Sequence, residues 1–139
     1  MIYFKFYDFS SKKSLREKNV FIKLWDRISS SIGKILNANP DFESKIDEVE
    51  QWIIEYDNTE HHQAIREIGI DSQGNIIIKM PDKRNYGFWL DTGLTLNDFK
   101  YFGINYITEN EFNNLWNSVC YDRKNKIFKS LGDGNKLSM

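Results

Sequence analysis

The chain has 139 residues, 40% of them hydrophobic and 15% aromatic, which suits one folded domain and excludes a disordered chain. The single cysteine, Cys120, excludes an internal disulfide; no run approaches the roughly 18 apolar residues of a membrane span, and the N-terminus lacks a signal peptide's pattern. The net charge of −1 hides a segregation: Asp41 to Glu60 holds eight carboxylates and one lysine, so the other 119 residues sum to +6.

Ile2 to Phe9 reads as a strand, with Ile2, Phe4 and Phe6 on one face and Tyr3, Lys5 and Tyr7 on the other. A helix is expected from about Ser14, because Val20, Phe21, Leu24, Trp25, Ile28, Ile32, Ile35 and Leu36 recur at spacings of three and four. Asn37-Ala38-Asn39-Pro40 breaks it. A second helix is expected from Pro40, with Phe42, Ile46, Val49, Ile53 and Tyr56 as its apolar stripe. Glu43, Asp47 and Glu50 line one flank of that stripe, and Glu48 and Glu55 the other.

The period then changes to two. Ala64–Ile70 and Asn75–Met80 flank Asp71-Ser72-Gln73-Gly74, a hairpin turn, and Tyr86–Leu90 reads as a third strand of the same meander. Thr95 caps a short helix, Leu96–Phe102, which Gly103 stops. Thr108 and Glu111 form a capping box for the last clear helix, with Phe112, Leu115, Trp116 and Val119 inward. Lys126–Leu131 reads as a final strand. The expected fold is a single α+β domain over residues 1–131, an antiparallel meander with two N-terminal helices and one C-terminal helix on one face, and a disordered tail at 132–139.

The acidic helix is the leading candidate site. Such a face attracts a basic protein, speeds its encounter and repels nucleic acid. Arg84, in the loop before the third strand, and Tyr86, where that loop meets the strand, are expected at the rim of an aromatic contact that includes Trp89. Asp91-Thr92-Gly93 after Phe88-Trp89-Leu90 resembles the active-site loop of retroviral-type aspartic proteases, where two aspartates share a proton. The match ends with the tripeptide, and turn chemistry accounts for it. His61 and His62 diverge too far for a two-histidine metal site. Cys120 ends an apolar helix face and is expected to be buried and inert.

Arg66-Glu67-Ile68-Gly69-Ile70-Asp71, Gly74-Asn75 and Asn85-Tyr86-Gly87-Phe88-Trp89-Leu90-Asp91, followed by Ile107-Thr108-Glu109-Asn110-Glu111-Phe112 and Leu115-Trp116, resemble small immunity proteins encoded beside bacterial polymorphic toxins. The resemblance covers roughly residues 64 to 117. It implies a non-catalytic cytoplasmic inhibitor that binds a cognate toxin; from charge, hydropathy and ligand spacing, no cofactor, metal, nucleic acid or membrane is expected as partner. If the toxin is a nuclease, the acidic flanks would face its basic cleft. The competing expectations are a hydrolase using Asp91 and an adaptor that binds a peptide or itself through the aromatic loop.

Overall fold

The computed structural model describes residues 1–7, 43–82 and 94–132, and at Glu43 and Ser44 the backbone alone. The helix expected between Ser14 and Leu36, the strand expected at Tyr86–Leu90 and the tail from 133 onward lie outside the described residues.

The described chain is mostly β. Strands β1 (Ile2–Tyr7), β2 (Gln51–Asp57), β3 (Gln63–Ile70), β4 (Ile76–Met80) and β5 (Asn105–Tyr106) form one antiparallel sheet in the order β4-β3-β2-β1-β5. Strands β6 (Val119–Asp122) and β7 (Ile127–Ser130) form a separate hairpin. Two α-helices occur among the described residues, α1 (Leu96–Lys100) and α2 (Glu109–Asn117).

This corrects the expected architecture in two respects. The helix expected from Pro40 to Tyr56 does not form. Its described part begins as a 3-10 helix, Glu43–Glu48, and its second half is β2, the central strand. The local reason is the run Trp52-Ile53-Ile54-Glu55-Tyr56, dominated by β-branched and aromatic residues that suit a pleated sheet. The stripe at spacings of three and four was a coincidence of a strand buried on both faces, whose apolar residues need not alternate. The second correction concerns sides. The two helices lie on opposite faces of the sheet: Phe99 of α1 packs with Phe4, Phe6 and Tyr56, whereas Phe112 of α2 packs with Tyr3, Ile53 and Ile68.

Register arranges the side chains in rows. On the α1 face, Phe4, Ile54, Glu67 and Met80 stand opposite one another across four strands, and Phe6, Trp52, Gly69 and Ile78 form the next row. On the α2 face one row is Tyr3, Glu55 and Arg66, and the next is Lys5, Ile53, Ile68 and Lys79. A bulge between Glu55 and Tyr56 absorbs Ile65, so Ala64 still faces Tyr56 while Arg66 faces Glu55.

Local signals account for the turns and caps. Asp71 Oδ1 accepts the N–H of Gln73 at 2.9 Å and of Asn75 at 2.8 Å, and Gly74 supplies the positive φ of 84° that closes the β3–β4 hairpin. Thr95 with Asp98 and Thr108 with Glu111 form reciprocal capping boxes for α1 and α2. The Thr108 N–H donates to Glu111 at 2.6 Å and holds that carboxyl below the usual range.

Candidate functional site

The acidic segment divides into groups that the fold consumes and groups it leaves outside. Ile46 and Val49 are buried in the α1-face core and anchor the 3-10 helix. Asp47 and Glu48 are exposed, and Glu50 is half-buried, its backbone N–H donating to Ile70 O at 2.8 Å. Lys45, the one lysine of the segment, donates from Nζ to Lys126 O at 2.9 Å, so the segment abuts the β6–β7 turn. Glu43 starts the 3-10 helix, its side chain outside the described residues.

Glu55 does not belong to an acidic surface, contrary to expectation. In a strand it points at its cross-strand neighbours, Tyr3 on one side and Arg66 on the other. Arg66 binds it with two nitrogens: Nε contacts Oε2, and Nη2 donates to Oε1 at 3.0 Å. The Tyr3 hydroxyl donates to the same Oε1 at 3.1 Å. Arg66 Nη2 also donates to Asn113 Oδ1 at 3.0 Å, which ties α2 to the sheet. The guanidinium carbon lies 4.8 Å from the Phe112 ring centroid and 4.9 Å from that of Trp116. Lys79 Nζ lies 4.7 Å from the Trp116 centroid and donates to Val119 O at 3.3 Å. Burial, then the hydrogen bond to Glu55, pushes the Tyr3 hydroxyl up to about 12. Hydrogen bonding to Glu55 raises Arg66, and burial lowers Lys79.

This cluster holds the face together. The bidentate pair is mostly desolvated, and two rings and Asn113 wrap the guanidinium. Arg66, Tyr3, Asn113 and Lys79 were not among the expected site residues. The signal for them was register: once β2 is a strand, Glu55 needs a cation on a neighbouring strand, and Arg66 is the nearest across the β2–β3 turn.

Asp57 is also turned inward. Its carboxylate accepts the N–H groups of Thr59, Glu60 and His61 and the Thr59 hydroxyl, which lowers its proton affinity and shapes the β2–β3 loop. The Tyr56 hydroxyl donates to His62 O at 2.7 Å, where His62 has a φ of 50°. Both histidines are exposed, and no group of three metal-ligating side chains gathers among the described residues. Cys120 is exposed on β6, a correction to the buried helical position expected for it. Arg84, Tyr86 and Asp91 lie outside the described residues. No helix among those described is long and apolar enough to cross a membrane.

Of the expected partner-binding residues, then, Asp47 and Glu48 are exposed together on a fixed backbone, Glu50 is partly covered beside them, and Glu55 is removed to the interior. No family model, curated protein or solved structure matches the chain.

Proposed function

We propose that this chain is a non-catalytic binding protein that neutralises a basic protein toxin by covering it, the role implied by the resemblance to immunity proteins. The observation that carries the reading is the pair Asp47 and Glu48. Both are exposed on a short helix whose apolar side, Ile46 and Val49, is held in the core. Neither makes a contact that the fold needs among the described residues. An anchored element presents charge with little ordering cost on binding, which favours recognition of a cation. Glu50 extends the patch, and Glu55 takes no part.

The test takes the product of the neighbouring gene, which this reading requires to carry a toxin domain. Association should be fast at low salt and slow as salt rises, because exposed charges are screened within about 10 Å at 0.1 M salt. The triple variant D47K/E48K/E50K should associate roughly tenfold or more slowly. Unchanged kinetics would remove this face from the interface. Failure of the unaltered protein to bind or inhibit that toxin would remove the immunity reading itself.

A further inference from the structure

The described sheet ends on one side at β5, and the register shows which way the backbone of that strand faces. β5 pairs with β1 through Phe4 and Tyr106 and through Lys5 and Asn105. The Ile107 N–H donates to Tyr3 O at 3.0 Å, so the next position, Tyr3 with Ile107, is bonded toward β1. Bonded and non-bonded pairs alternate along an antiparallel ladder, which makes Phe4 and Tyr106 a non-bonded pair. Tyr106 therefore turns both its N–H and its C=O away from β1, to the outer side of the edge. Its side chain stands on the α1 face, level with Phe4, and is 60% exposed. Tyr101, the C-cap of α1 on that face, is 78% exposed. These two are the most exposed large apolar side chains among the described residues.

Edge strands are normally blunted by charge, proline or a bulge, and β5 has only its shortness. No charged residue lies between Lys100 and Glu109, in a chain that is 28% charged. Tyr101, Gly103, Asn105, Tyr106 and Thr108 of that stretch are all exposed. The backbone on either side is committed: the Gly103 N–H donates to Lys100 O at 3.1 Å and the Thr108 N–H to Glu111 at 2.6 Å. Main-chain pairing of an added strand is thus limited to the stretch around Tyr106. That disfavours a long foreign strand, whose affinity rests on a run of such bonds. A second copy of the chain fits better. Antiparallel pairing about a two-fold axis at Tyr106 sets this residue opposite itself, and the N–H and C=O of each copy satisfy those of the other. Residues at such an axis meet their own copies, so any charge there would face a like charge. The neutral stretch meets that requirement. Both copies keep the α1 face on the same side, so two Tyr106 and two Tyr101 side chains share one side of the joined sheet.

We propose that two copies of this chain pair edge to edge through β5, with Tyr106 at the two-fold axis and Tyr101 at the margin of the contact. The pairing joins the two five-stranded sheets into one continuous sheet. Its hydrogen-bonded centre is a single residue pair, so the association is weak and concentration-dependent, unlike that of an obligate dimer. The edge is on β5 and the acidic patch on the 3-10 helix before β2, so the inference does not rest on the toxin reading.

The test is sedimentation velocity of the full chain from micromolar to about millimolar protein, which should show a monomer–dimer equilibrium. Hydrogen exchange at the Tyr106 amide should slow as the dimer fills, because that N–H is open to water in the monomer and bonded in the dimer. Each copy contributes one tyrosine at the axis, and truncating such an anchor costs about tenfold in affinity. Tyr106→Lys, which removes both and sets like charges opposite each other, should weaken the dimer about a hundredfold. Tyr101→Ser leaves Tyr106 in place and should weaken it roughly tenfold; this variant decides the matter if Tyr106→Lys does not keep the circular dichroism of the unaltered chain. A chain that stays monomeric at every concentration, a dimer whose Tyr106 amide is unprotected, or a folded variant of either kind that dimerises as well as the unaltered chain would overturn the proposal. So would oligomers that keep growing with concentration, since an isologous edge contact closes at two copies.

Discussion

Replacing Arg66 by leucine tests whether the pair under α2 holds the domain together. The Glu55 side chain is 8% exposed and that of Arg66 is 24% exposed. Without Arg66, Glu55 retains the Tyr3 hydroxyl as a donor, and Asn113 Oδ1 loses its guanidinium. Removing one member of a buried pair costs about 3–5 kcal/mol. The two ring contacts add about 0.5–1 kcal/mol each, and partial access of water to the guanidinium site offsets some of this. The expected loss is about 3 kcal/mol, a fall in Tm of roughly 10 °C for a domain of this size. Urea unfolding followed by tryptophan fluorescence would measure it, since Trp116 lies against the guanidinium. The double variant E55L/R66L removes both charges together and should cost less than R66L alone, because no carboxylate is left stranded. Strict additivity of the two single changes, or a loss below about 0.5 kcal/mol for R66L, would show that the cluster contributes little and that α2 is held by its apolar contacts through Phe112, Leu115 and Trp116.

Two further outcomes follow from the same sheet. Gly69→Ala should destabilise by about 1–3 kcal/mol in thermal unfolding, because a Cβ there would lie 2.9 Å from Val49 Cγ2 and 3.1 Å from Ile78 Cβ, both in the packed core; unchanged stability would mean that this row has slack. Tyr3 predicts an alkaline limit. Its folded pKa, about 12, is above the unfolded value of about 10, so its contribution is complete below pH 10 and is lost as pH rises toward 12. Tyr3→Phe should flatten the stability profile in that window, and an identical slope in the variant would assign the alkaline loss to other groups.

The elements that local chemistry specifies were legible in the sequence. Asp71 to Gly74 reads as a turn because Asp71 satisfies the turn's N–H groups and Gly74 accepts a positive φ. Thr95 reads as a cap from its place before Leu96, and Thr108 because Glu111 three residues on completes a box; that Asp98 completes a box with Thr95 as well is seen in the structure. β1, with Phe4 and Phe6 on one side and Tyr3 on the other, followed from alternation. Val119 was assigned to the last helix and instead opens β6, since its partner strand, Ile127–Ser130, lies beyond a turn that the helix pattern does not register.

What the sequence could not decide was the middle of the acidic segment. Ile46, Val49, Ile53 and Tyr56 fit a helical stripe as well as they fit a 3-10 helix leading into a strand, and the choice was made by β1 and β3, which flank β2 and satisfy its backbone on both edges. That choice also settled the charges. Glu55 in a helix would have faced solvent, whereas in β2 it faces Tyr3 and Arg66 under α2. The side on which each helix lies is tertiary for the same reason: a buried central strand is apolar on both faces, so its sequence carries no preference, and only the packing of Phe99 and Phe112 assigns one helix to each.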